Sequence, residues 1–292
     1  MKNRSIKISA VQNNTRFETV VILCTLLFAQ TSAAFAQNDS RSLGTKGNAL
    51  LQQNRFADAE DAYTEALKRA REEHNDKAIA GCLYNLSLVC AHQAKYNNAQ
   101  KLLNELESMK AHSSFVTDVQ LKKQQSNIFY GQAKYAESEA IDRAMLAASR
   151  DTRTSLEVRL HQSLNQFCQS KNAECEASLD TVISTTKKLS PQSIDILEAA
   201  YKQLGKLHTA TSQLQKAQLD YESEVELLRK KPDMNVLLAS ALNDLGGVLR
   251  ARKSYEKALK TFKEAYDAGN KSEQDLLYYY GNSGCVYLDL GE

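Results

Sequence analysis

Two prolines and eleven glycines in 292 residues leave few places where the chain must break or turn sharply, which argues against a sandwich or barrel of many short strands. Charge of one sign is also missing. Lys and Arg number 37 against 35 Asp and Glu, and a formal net charge of +2 gives no electrostatic footprint for wrapping nucleic acid or coating a membrane. Signatures of catalysis and metal binding are absent as well. The five histidines, His74, His92, His112, His161 and His208, form no His-x-x-x-His pair, and no cysteines have zinc-knuckle spacing. Neither a phosphate-binding glycine loop nor a Gly-x-Ser-x-Gly elbow occurs. We therefore expect no enzyme activity and no cofactor. What the chain does have is Ala, Leu, Lys, Glu and Gln, all strong helix formers, and 42% hydrophobic residues, enough for a folded core. Helix is the expected state.

Only one strongly apolar run is present. Lys2, Arg4, Lys7 and Arg16 precede Val20 to Ala29, and the small residues Ala34 and Ala36 follow. A basic region, a short apolar core and small residues at the minus-three and minus-one positions make a signal peptide over residues 1–36, cut after Ala36. The run falls short of the roughly 20 residues that span a bilayer, and Cys24 lacks the small residues of a lipoprotein cleavage site. The mature chain is expected to be exported, periplasmic or secreted, without stable membrane insertion. Cleavage takes four of the 37 basic residues and one of the 35 acidic residues, Glu18, leaving 33 against 34.

A period of about forty residues runs through the remainder. Arg55-Phe56-Ala57-Asp58-Ala59-Glu60 recurs as Lys95-Tyr96-Asn97-Asn98-Ala99-Gln100, as Lys134-Tyr135-Ala136-Glu137-Ser138-Glu139 and as Ser254-Tyr255-Glu256-Lys257-Ala258-Leu259. Units starting at Ser40, Ala80, Val119, Val158, Glu198, Ala239 and Leu277 then carry Gly47, Ser87, Ser126, Asn165, Gly205, Gly246 and Gly284 at their eighth position. Their twentieth position holds Ala59, Ala99, Ser138, Ala177, Ala217 and Ala258. Small residues at two fixed points mark where paired antiparallel helices cross most closely. Larger ones beside them fill the core: Leu50, Cys90, Phe129, Cys168, His208, Leu249 and Tyr287 at the eleventh position. Pro191 and Pro232 fall between units, where a missing backbone donor does no harm.

These segments resemble the tetratricopeptide repeat (TPR), a helix-turn-helix unit with small residues at those two positions. Leu83-Tyr84-Asn85-Leu86-Ser87 and Leu242-Asn243-Asp244-Leu245-Gly246 are similar to the first helix of kinesin light chain type repeats. The resemblance implies an all-α, right-handed helical-repeat solenoid of antiparallel helix pairs over residues 37–292, about six and a half repeats long. One helix pair cannot bury its own apolar stripe, so neighbours must stack. A step near 40 instead of 34 lengthens the helices by roughly one and a half turns per unit. Residues 276–292 read as the first helix of a seventh unit, so the chain is expected to end mid-repeat.

In the resembled family, positions two, five, six, nine and twelve of the first helices line a concave groove. Carried onto this sequence, they give Asn85, Lys123, Gln124, Asn127, Arg159, Lys202, Gln203, Lys206, Asn243, Arg250 and Asn282, with Tyr84, Gln162, Gln166 and Asp244 beside them. Amides can hold the backbone of an extended segment while Lys and Arg favour carboxylates, so the implied partner is a protein or peptide with an anionic preference. Cys168 and Cys175 could close a disulfide across a hairpin; the alternative is that Cys90 and Cys168 are small core residues. The leading functional reading is a non-enzymatic exported interaction scaffold. An alternative is the recruitment or regulatory repeat region of a larger exported enzyme, and a third, an intracellular peptide-responsive regulator, requires residues 1–36 not to be a signal.

Overall fold

The computed structural model describes residues 39–109, 115–189 and 193–291; the signal peptide expected at 1–36, His112 and Pro191 lie outside the described residues. The chain divides into two compact units after Gln132, between the helices of the third repeat. The first holds α1 (Ser40–Gln52), α2 (Phe56–Glu72), α3 (Asp76–His92), α4 (Tyr96–Ser108) and α5 (Asp118–Gly131). The second holds α6 (Tyr135–Ala148), α7 (Thr152–Cys168), α8 (Asn172–Lys187), α9 (Ile194–Ala210), α10 (Leu214–Arg229), α11 (Asn235–Ala251), α12 (Tyr255–Ala268) and α13 (Glu273–Leu290). No strand occurs among the described residues. Within each unit a helix packs on the next in sequence, and first helices of successive repeats lie side by side, α1 on α3 and α7 on α9. The fold is the expected all-α stack of antiparallel helix pairs.

One turn recurs six times. Asn54, Ala94, Ala133, Ser170, Ser212 and Lys253, which join the two helices of each repeat, all have φ between 56° and 60°. The left-handed residue lets the chain reverse, and in five of these turns the next amide reaches back to the carbonyl five residues earlier, as in Arg55 N to Leu50 O (3.0 Å), Lys171 N to Gln166 O (2.9 Å) and Ser254 N to Leu249 O (2.9 Å). This turn fixes the register independently of side chains. It falls at the fifteenth position of every expected unit except the fourth, where Ser170 would be thirteenth.

The fourth repeat therefore starts at Leu156, not Val158. Its eighth and twentieth positions are Ser163 (0% exposed) and Cys175 (2%), whereas Ala177 is exposed. Gln166 takes the eleventh position and is buried; Cys168, expected in the core, is exposed. The physical reason is a degeneracy. Asn165 and Ala177 are as far apart as Ser163 and Cys175, so a rule based on small residues is met by either frame. In the corrected frame α3, α7, α9, α11 and α13 each begin four residues before their repeat, so much of the extra length is one added N-terminal turn. Caps start several of these helices: Asn75 accepts from Ala78 N (3.1 Å), Asp151 accepts from Thr154 N (2.7 Å), and Ser272 forms a capping box with Asp275.

Packing at the helix crossings follows a pairing rule. Gly47, Gly205 and Gly246 face Tyr63, Tyr221 and Phe262, sixteen residues on, and a Cβ on Gly205 would lie 2.6 Å from the Tyr221 ring. Where the eighth residue is Ser87 or Ser163, that partner is Leu103 or Leu179, fully buried. Ring and glycine, or leucine and serine, fill the same space. In the second unit Asp142 of α6 is buried, and α7 satisfies it: Asn165 Nδ2 donates to Asp142 Oδ2 (2.9 Å) and to Ser138 Oγ (3.0 Å), and His161 Nδ1 lies 2.9 Å from Asp142 Oδ2.

Stacking is reinforced by polar clamps of one design. Glu60 Oε2 accepts from Gln93 Nε2 (2.8 Å) and Lys95 Nζ (2.7 Å), and Glu139 Oε2 accepts from Gln169 Nε2 (3.0 Å) and Lys171 Nζ (2.8 Å) at the equivalent positions. Arg71 with Glu105 and Arg229 with Glu264, each at 2.5 Å, form a second equivalent pair. Glu139 is buried, whereas the other partners are partly solvated and each of those pairs contributes little alone; their repetition fixes how neighbours align.

Candidate functional site

In the first unit the groove positions of α1 and α3 enclose a cavity of about 520 Å³. Asn48 and Asn85 stand on adjacent helices: Asn85 Nδ2 donates to Asn48 Oδ1 (3.4 Å), which also accepts from the Tyr63 hydroxyl (2.6 Å). The Nδ2 of Asn48 donates to no group among the described residues. Arg41 and Lys77 stand at the rim, exposed and without an ion pair among the described residues. Gly44 and Gly81 form part of the wall, and a Cβ on either would meet nothing within 4 Å. Glycine in a helix interior costs about 0.5–1 kcal/mol relative to alanine, and no protein atom here requires its absence of side chain.

In the second unit a cavity of about 450 Å³ lies between α11 and α13. Asn282 Nδ2 donates to Asn243 Oδ1 (3.2 Å), the same amide pairing between first helices, and Asp244, Asp275 and Tyr278 complete its polar wall. Gly247 and Gly281, also at groove positions, again face open space. Cations here are partly occupied. Lys202 Nζ stands 4.0 Å from Glu198 and donates to Ser240 Oγ (3.3 Å), and Arg250 Nε donates to Asp289 (2.6 Å). Lys206 is exposed and makes no ion pair among the described residues.

Of the residues expected at the groove, Asn85, Lys123, Gln203, Asn243, Arg250 and Asn282 are half-buried, as is Lys202, and Asn127 is exposed. Gln203 accepts from Ser163 Oγ (2.5 Å). Gln124 is buried at 1%, its amide nitrogen without an acceptor. Arg159 leaves the groove set once the fourth repeat is reframed, and Gln162 and Gln166 are buried. Cys168 and Cys175 are not joined by a disulfide, and burial pushes the Cys175 thiol up to about 12. Glu198, one residue before the first groove position, lies beside Lys202, and Glu224, from a second helix, is fully buried. No cluster of metal-ligating residues occurs among the described residues, and none of their helices is long and apolar enough to cross a membrane.

Comparison with known proteins agrees with this geometry. A tetratricopeptide repeat family model matches residues 41–77, and no curated protein matches the chain in sequence. Among solved structures, the chain is similar to the apo form of the quorum sensor NprR from B. thuringiensis, with TM-score 0.65 at 12% identity, over 85% of this chain and 70% of that one. It is similar also to a Rap protein complexed with competence and sporulation factor (TM-score 0.59, 13% identity, 86% and 73% covered). NprR in complex with its cognate peptide NprX matches with TM-score 0.60 at 10% identity, over all of this chain and 86% of that one. The chain is a TPR-like helical-repeat protein.

Proposed function

We propose that this protein is a non-catalytic, exported scaffold that captures an extended peptide or protein segment on the first helices of its repeats, with a preference for acidic sequence. The observation that carries this reading is the cavity between α1 and α3. It combines open amide groups, two cations without an ion pair among the described residues and a wall kept free of side chains by Gly44 and Gly81. Amides hold a ligand's backbone, unpaired guanidinium and ammonium groups attract its carboxylates, and glycines let its main chain come close. The likeness to NprR, which has been solved with a peptide, supports the same use of the fold, although fold alone does not choose a ligand. Export rests on residues 1–36, and N-terminal sequencing of the mature protein tests it; an intact Met1 would favour the intracellular, peptide-responsive reading.

The binding test is a titration with an acidic peptide against two charge reversals, Arg41→Glu with Lys77→Glu, and Lys202→Glu with Lys206→Glu. Each double variant is expected to weaken binding by tenfold or more, on the order of 1.4 kcal/mol. Unchanged affinity in both would remove the groove as the binding surface.

A further inference from the structure

Position 27 of the repeats is a core position. It holds Ala66, Leu106, Met145, Val182 and Ala265, all buried, but in the fifth repeat it is Glu224. This carboxyl is 0% exposed, and neither oxygen receives a hydrogen bond among the described residues. An ionised carboxylate cannot be held so without a large desolvation penalty. Its surroundings come from both helices packed on α10. Glu198 and Lys202 face it from α9 and Asp244 from α11, while Tyr221 lies one turn away on its own helix. Three carboxyls thus share a site with Lys202 and, beside Asp244, Lys206. As two carboxylates, Glu224 and Glu198 could only repel; a proton on Glu224 turns the same approach into a hydrogen bond donated to Glu198. Burial, opposed by Lys202 and reinforced by the two acidic neighbours, pushes Glu224 up to about 8.

We infer that Glu224 is held as a neutral acid beneath the groove, sharing its proton with Glu198, and that this proton gates capture of an acidic ligand by Lys202 and Lys206. The inference rests on the peptide-binding reading above and adds a regulator to it. With Glu224 neutral, Glu198 and Asp244 balance the two lysines, and a ligand carboxylate meets no net charge. Loss of the proton leaves the cluster at minus one, with Lys202 drawn down toward the buried carboxylate and away from the ligand. Acidic ligands therefore bind together with the proton and are released as pH rises past it.

The test uses the full chain and a rhodamine-labelled, acetylated hexaglutamate amide, followed by fluorescence anisotropy at about pH 6.5 and about pH 9 at constant ionic strength. Wild type is expected to lose affinity by roughly tenfold between the two, the size of effect that a buried charge several ångströms from a bound carboxylate exerts. Glu224→Gln, which keeps the neutral form, should bind at both pH values about as wild type does at the lower. An equal pH dependence in the variant, or none in wild type, overturns the coupling. Absence of binding at both pH values overturns the groove reading and the gate with it. The proton is checked separately by carbon-13 NMR: a Glu carboxyl signal missing from Glu224→Gln should titrate between about 7 and 9, and ordinary carboxylate titration refutes the neutral acid.

Discussion

Adjacent glycines in α11 should respond to the same substitution with opposite sign. Gly247 faces open space in the groove, with nothing within 4 Å of an added Cβ. Gly247→Ala should therefore gain most of the helix-propensity difference between the two residues, about 0.8–1 kcal/mol. At Gly246 the added Cβ would stand 2.7 Å from Cδ1 and 2.9 Å from Cζ of Phe262, where carbon atoms normally rest at about 3.5–4.0 Å. Phe262 is 2% exposed in the cluster between α11 and α12, so relief requires the helices to part by most of an ångström. Overpacking of that kind costs about 1–3 kcal/mol, and after the same propensity gain Gly246→Ala should be destabilised by up to about 2 kcal/mol. Urea denaturation followed by circular dichroism measures both, with midpoints compared at matched slopes. Phe262→Leu, which copies the Ser87 and Leu103 pairing, should recover about 1 kcal/mol in the Gly246→Ala background relative to the sum of the single changes. If Gly246→Ala proves as stable as Gly247→Ala, the close-crossing argument is wrong.

Other consequences are open to direct measurement. Ala94→Gly and Ser212→Gly should each stabilise the chain by about 0.5–1 kcal/mol, because both residues hold a left-handed conformation that glycine adopts without strain; thermal denaturation reads this. The hydrogen bond from Lys95, opposed by burial and aided by Gln93, holds Glu60 below the usual carboxylate range. Its stabilisation is present above the unfolded-chain value and lost as pH falls through the folded one, so Glu60→Gln should flatten part of the acid limb of a stability profile. Glu224 has the opposite sign. Its folded state holds a proton that the unfolded chain gives up, so stability should fall as pH rises from about 4.5 toward 8 and the Glu224→Gln variant should lack that loss. Alkylation without reduction should label exposed Cys168 quickly and leave Cys82 and Cys175, whose thiols burial lifts to about 11 and about 12, unlabelled until the chain unfolds. Protection of Cys168 in mass spectra would instead indicate the disulfide with Cys175.

The repeat period, the helical state and most crossing points were readable because they rest on small residues at fixed intervals, which only close helix contact explains. The turn that truly sets the frame was not readable. Its left-handed residue is Asn54, Ala94, Ala133, Ser170, Ser212 or Lys253, and no side-chain property unites these; the conformation is imposed by the helices on either side. Glu224 was missed for a different reason. A rule that scans first helices for groove residues cannot see a side chain that arrives beneath them from a second helix. The frame of the fourth repeat is nevertheless legible in the sequence. An eighth residue that is glycine has an aromatic residue sixteen places on, and one that is serine has Leu103, Asp142 or Leu179 there. The frame from Ser163 gives Ser with Leu and obeys the rule; the frame from Asn165 gives Asn with Thr181, a larger residue at the crossing and no core filler opposite it. Because a crossing has one volume to fill, the two positions carry more information read together than either does alone, and the shared volume selects the frame that the spacing of small residues leaves undecided.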